Sequence, residues 1–132
     1  MTKWCWPAVF VMLMSGVATA ALARADFPFD GELRLDAGPM RGSRRVPNMD
    51  VAANGAIALE MWCNRVEGQV VVAGETLTVV TGAPTTRSCS PEQSQADAEL
   101  LATLSEVTGW QRAGDLVTFV GPKSLRFRIP TN

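Results

Sequence analysis

A chain of 132 residues with 47% hydrophobic composition accommodates one small globular domain and not two. It contains no His and no Tyr, which removes the imidazole base of Ser and Cys nucleophile systems and the commonest zinc ligand. Twelve Lys and Arg stand against 13 Asp and Glu at a formal net charge of −1, so the positive surplus with which a dedicated nucleic-acid binder neutralises phosphates is missing.

Residues 1–25 read as an export signal and not as domain. Lys3 is the one charge ahead of an apolar run from Ala8 to Val17, and Ala23-Arg24-Ala25 puts small residues at the two positions a signal peptidase inspects. Cleavage is expected before Asp26, with Ala18-Thr19-Ala20 as a second acceptable site. The run is shorter than the roughly 20 residues of a comfortable membrane span. Cys5 precedes the apolar core, so it cannot be a lipoprotein acceptor. The expected product is soluble, periplasmic or secreted, without an integral membrane span. Cleavage removes Lys3, Arg24 and no acid, leaving 10 basic and 13 acidic residues and a net charge of −3. It also removes Cys5. Two cysteines, Cys63 and Cys89, then remain in an oxidising compartment, which favours one disulfide between them.

Residues 26–55 form an irregular N-terminal part in which Glu32–Asp36 alternates as a short strand between Pro- and Gly-containing loops. Its segment Pro39–Arg45 brings Arg41, Arg44 and Arg45 close together, as a solvated loop or a small anion-binding patch. From Ala56 the alternation sharpens: Ile57, Leu59 and Met61 face one way, Ala58, Glu60 and Trp62 the other. Val66–Ala73 and Thr76–Thr81 are the next strands, joined by a tight turn in which Gly74 accepts positive φ. One helix begins at Ser90-Pro91-Glu92-Gln93, where Ser90 caps, Pro91 takes the first helical position and Gln93 closes a capping box. It is expected to run to about Val107, with Ala96, Leu100, Leu104 and Val107 on the apolar face, Asp97 among the polar residues and Gly109 as terminator. Trp110–Arg112, Leu116–Val120 and Leu125–Ile129 follow as strands in two hairpins, the last with Arg126 and Arg128 on its wet face. The expected fold class is α+β: a compact antiparallel β-sheet or partial barrel with one packed amphipathic helix, its core in residues 56–132.

Little in this sequence carries catalysis. The 13 acids show no marked general acid and base pair, and two cysteines 26 positions apart without His fall short of a four-ligand metal site. The glycines are scattered singly at turns, with no phosphate loop among them. No catalytic residue, metal or cofactor is expected. Cys63 and Cys89 sit on separate elements and not in a Cys-X-X-Cys turn, which favours structural over redox use. If they bond, Asn64 and Arg65 are drawn towards Arg87, gathering two guanidinium groups and an amide. That group either contacts a small anion or peptide carboxylate, or ties local loops to backbone carbonyls and acids such as Glu67.

The run Trp62-Cys63-Asn64-Arg65-Val66-Glu67-Gly68 resembles the Cys-Asn-Arg motif of the META domain family, the HslJ-like small bacterial envelope proteins. Gly74-Glu75-Thr76-Leu77-Thr78, Thr85-Thr86-Arg87-Ser88-Cys89, Gly114-Asp115-Leu116-Val117-Thr118 and Leu125-Arg126-Phe127 match in order, so the resemblance spans Ala56 to Ile129. Trp62 and Val66 depart from the usual pattern. The resemblance implies a compact α+β domain associated with envelope or stress phenotypes and no established reaction. The expected function is therefore that of a monomeric, non-enzymatic exported module with an envelope protein or component as partner. An inhibitor of an exported hydrolase and a thiol oxidoreductase using Cys63 and Cys89 are the alternatives.

Overall fold

A computed structural model describes Thr2, Lys3 and residues 26–131. The expected leader core, Cys5 and the cleavage sites lie outside the described residues. Among the described residues, eight strands and one helix follow one another as β1 (Gly31–Leu35), β2 (Asn48–Val51), β3 (Ala56–Glu60), β4 (Arg65–Ala73), β5 (Thr76–Thr81), α1 (Pro91–Ser105), β6 (Gly109–Ala113), β7 (Leu116–Val120) and β8 (Leu125–Arg128). Every neighbouring pair is antiparallel, and β8 returns to β1 through Arg34↔Arg128 and Leu35↔Phe127. The sheet is thus a fully closed barrel and not an open sheet or partial barrel. Closure removes the edges at which unpaired N–H and C=O groups would otherwise recruit another chain.

The first half of this barrel corrects the reading of residues 26–55. Asn48–Val51, expected as loop, is a strand paired on both sides, to β1 and to β3. Met49 and Val51 are buried while Asn48 and Asp50 face outward, a period of two that four residues state too briefly to read beside Pro47. The inward row Leu33, Met49, Leu59 and Val66 runs in register across β1–β4, each residue at 0 or 1% exposure. Phe119 and Phe127, with rings 4.8 Å apart, complete a core filled by side chains.

Gly68 lies on the inward side of β4, opposite both Ile57 and Thr81. A Cβ there would stand 2.1 Å from the Val80 carbonyl oxygen, so glycine is what lets β4 bend against β5. Gly68→Ala is expected to lower stability by about 1–3 kcal/mol, read as a lower urea midpoint with unchanged slope.

Between β5 and β6 the barrel wall is joined at one Cα pair, Thr76↔Gly109. The helix supplies what the strands leave open: it packs along β5, and its Leu100 and Leu104, with Val107 just beyond its end, join the core. Its capping box is formed as the sequence implied, with Ser90 Oγ accepting from Gln93 N and Gln93 Oε1 accepting from Ser90 N. It ends at Ser105, with Glu106 as its C-cap. Gly109 does not terminate it but opens β6, where a Cβ would press within 3.1 Å of the Glu75 carbonyl oxygen. The helix spans one end of the barrel. Midway along it Asp97 reaches the β3–β4 turn, and at its C-cap Glu106 O lies 2.8 Å from where a Cβ on Gly121, in the β7–β8 turn, would stand.

Candidate functional site

Cys63 follows β3 and Cys89 precedes the helix cap, and the two are joined in a disulfide with their Cα atoms 6.0 Å apart. That separation is the ordinary one for a cystine. The turn carrying Cys63 is fixed a second time from the helix. Asp97 Oδ1 accepts from the backbone N–H of Trp62 at 2.8 Å and of Cys63 at 3.2 Å, and Oδ2 accepts from that of Asn64 at 2.8 Å. Expected on the polar face, Asp97 is 4% exposed. Three consecutive amides without strand partners explain its burial, because a carboxylate can satisfy them together.

Asn64, Arg65 and Arg87 do converge here, in different roles. The Asn64 side chain is a local strut: its Oδ1 accepts from Arg87 N at 2.7 Å and Thr85 Oγ1 at 3.0 Å, and its Nδ2 lies 3.4 Å from Cys89 Sγ. Arg65, the first residue of β4, bonds through its backbone to Thr85 in both directions, which holds the loop after β5 against the barrel. The two guanidinium groups are half exposed and turn to a residue that the sequence reading placed on the outward face of β3 without assigning it a role. Glu60 lies 3.3 Å from Arg65 Nη1 and 3.7 Å from Arg87 Nη1, and Arg87 Nη1 also donates to the Cys63 carbonyl at 3.3 Å. Arg45, from the loop before β2, completes the group at 3.5 Å from Glu60. Of the arginines in Pro39–Arg45, Arg45 is therefore engaged, while Arg41 and Arg44 face solvent.

The barrel register accounts for the meeting. Arg34, Asn48, Glu60 and Arg65 stand directly opposite one another across β1–β4, forming one outward row, and Arg128 continues it across the closure. Asp36 holds Arg128 at 3.0 Å and Arg126 at 3.8 Å beside it. The next outward row along the same strands, Glu32, Asp50, Ala58 and Glu67, is acidic. Charge on this flank is segregated by strand position. Such stripes are not readable before the register is known.

A concavity of about 750 Å³ lies elsewhere, between the segment leading into β1 and β6, with Phe27, Phe29, Val72, Trp110 and Arg112 along it. Two of its polar side chains already hold backbone: Trp110 Nε1 donates to the Gly74 carbonyl at 2.7 Å, and Arg112 donates to those of Asp26 and Gly114, each at 2.9 Å. Those contacts seat Phe27 in the core, its ring edge-on to Trp110 at 5.2 Å.

The META domain family model matches residues 29–128. The chain belongs to the META domain family. The match takes in β1 and β2 as well as the segment from Ala56 that carries the Cys-Asn-Arg run, in keeping with a barrel that needs all its strands to close. Among solved structures, this META domain is similar to a protein from Burkholderia xenovorans determined by NMR, at 20% identity and a TM-score of 0.62, covering 86% of this chain and 97% of that one. It is also similar to the crystal structure of a DUF4847 family protein from Bacteroides vulgatus ATCC 8482, at 12% identity and a TM-score of 0.58, covering 78% and 94% respectively. At these identities the likeness is one of fold. No curated protein matches the chain.

Proposed function

We propose that this META domain is a non-enzymatic, monomeric exported module that binds or stabilises a component of the bacterial envelope and acts in envelope stress. The observation that carries the reading is the rim around the cystine. There a disulfide and the three Asp97 bonds immobilise the β3–β4 turn, while polar side chains from three chain segments meet at the surface. A rim fixed before contact gives up little conformational freedom on binding. The filled barrel interior directs recognition to such outer surfaces. Export is supported by the leader pattern, and the single cystine suits an oxidising compartment.

The test places a photo-crosslinking amino acid at the exposed Thr86, beside the rim, and at the exposed Lys123 as a remote control, in cells expressing the full chain. The expected result is a discrete crosslinked envelope component at Thr86 and not at Lys123, from a protein whose intact mass corresponds to a terminus at Asp26. Equal, diffuse crosslinking at both positions, or full-length protein in the membrane fraction, overturns the reading. Should the captured component be an exported hydrolase whose activity falls on adding the purified domain, the module is an inhibitor. The exposed loop between β5 and α1, tied to the barrel through Thr85 and Arg87, suits that role as well.

A further inference from the structure

We propose that Arg45, Arg65 and Arg87 form a binding site for a phosphate-type dianion, the chemistry through which the rim proposed above would recognise its partner. Three guanidinium groups from three separate segments surround the single Glu60 carboxylate at 3.3–3.7 Å. One ionised carboxylate compensates one of the three charges, so the cluster retains an excess of about two positive charges. Glu67, the other acid in reach, touches Arg65 at 3.7 Å from a side chain 80% exposed to water, where screening leaves it little hold.

The donors are also underused. Glu60 Oε2 is shielded from water and has no hydrogen-bond partner among the described residues, although Arg45 and Arg87 approach it at 3.5 and 3.7 Å. Those contacts are ion pairs and not directed bonds. Asn48 Oδ1, opposite Glu60 in the register, is likewise buried and without a partner among the described residues. Each guanidinium offers five N–H donors. Among the described residues, the guanidinium hydrogen bonds of the cluster are Arg65 Nη1 to Glu60 Oε1 and Arg87 Nη1 to the Cys63 carbonyl, and Arg45 contributes none beyond its ion pair. The three side chains are 43–48% exposed, so a solute can approach the cluster from water.

Phosphate suits this arrangement in charge and in shape. Its second ionisation near pH 6 makes the monoester doubly charged at neutral pH, matching the excess. Its oxygens accept from the planar forks of several arginines at once. The scaffold is already in place, since Arg65 is fixed by the β3–β4 register and the Arg87 backbone by Asn64 Oδ1 and the neighbouring cystine. The second basic group sets two guanidinium groups, Arg126 and Arg128, against the Asp36 carboxylate, an excess of one charge where the rim has two, and it serves as the internal control.

The experiment titrates inorganic phosphate into the full chain at pH 7.5 and constant ionic strength, following the arginine side-chain NMR signals, with chloride as the comparison anion. Saturable shifts at Arg45, Arg65 and Arg87 are expected, with affinity falling roughly tenfold or more in Arg87→Ala and Arg45→Ala, less in Arg87→Lys, and unchanged in Arg126→Ala. Arg45 and Arg87 sit in exposed loops, so a thermal melt checks that both variants are folded. Vesicles of phosphatidylcholine with and without phosphatidic acid distinguish a lipid headgroup from free phosphate as the source: sedimentation with the acidic vesicles alone, lost in Arg87→Ala, assigns the headgroup. Absence of saturable shifts, or equal weakening in Arg87→Ala and Arg126→Ala, overturns the site. Crosslinking at Thr86 that persists without phosphate binding leaves the partner reading standing and removes this one. Phosphate binding without crosslinking does the reverse.

Discussion

Replacing Asp97 by alanine is expected to lower the stability of the domain by about 3 kcal/mol, because three backbone amides lose their acceptor in one step and each unsatisfied buried donor costs roughly 1–3 kcal/mol. Water reaching the opened turn recovers part of that loss, which is why the figure sits near the lower bound of the sum. In a domain of this size the change corresponds to a fall in Tm of about 10 °C. Asp97→Asn separates charge from geometry. Its amide oxygen can still serve Trp62 and Cys63, but an amide NH2 then faces the Asn64 N–H, donor against donor. An intermediate loss of about 1–2 kcal/mol is expected for Asn, and a leucine that fills the space without accepting should be as damaging as alanine. Urea unfolding of the three variants decides the matter. Equal stability of Asp97→Ala and the parent would mean that the turn is held without the carboxylate.

Asp97 also marks how far the sequence could be read. Its position was legible in principle: Asp97, Leu100 and Leu104 stand at i, i+3 and i+7, the spacing of one helical face, so the acid lies within the apolar stripe. What hid it is that an acid beside Glu92 and Glu99 is ordinarily solvated, and nothing local says that three amides wait opposite. The strands from Ala56 onward were legible because each alternates over five or more residues or is bounded by a glycine turn such as Gly74 or Gly114, both at positive φ. β2 was not, being four residues long. Closure of the barrel was beyond reach for another reason. It depends on β1 meeting β8, a contact between residues more than 90 positions apart with no local signature. The candidate site divides the same way: Asn64, Arg65 and Arg87 follow from their nearness to the two cysteines, whereas Glu60 and Arg45 enter only through the register of β2–β4.

Removing the cystine as Cys63→Ala with Cys89→Ala is expected to cost roughly 3.5 kcal/mol, the loop-closure entropy that a bond across 26 residues takes from the unfolded chain. The structure says where that effect acts. The β3–β4 turn keeps its three bonds to Asp97 whether or not sulfur bridges it, and Asn64 still holds Arg87 N and Thr85 Oγ1. The folded rim therefore has supports independent of the bond, which places the stabilisation mainly in the unfolded state. Combining the cysteine pair with Asp97→Ala tests this directly. One change acts on the unfolded ensemble and the other on the folded turn, so their costs should add to within about 0.5 kcal/mol although the residues touch. A coupling well above that would assign the cystine to positioning the turn. The same bond decides the alternative of a thiol oxidoreductase. A structural cystine should show a reduction potential below about −300 mV, and one near the range of thioredoxin or above would return Cys63 and Cys89 to the reactive class.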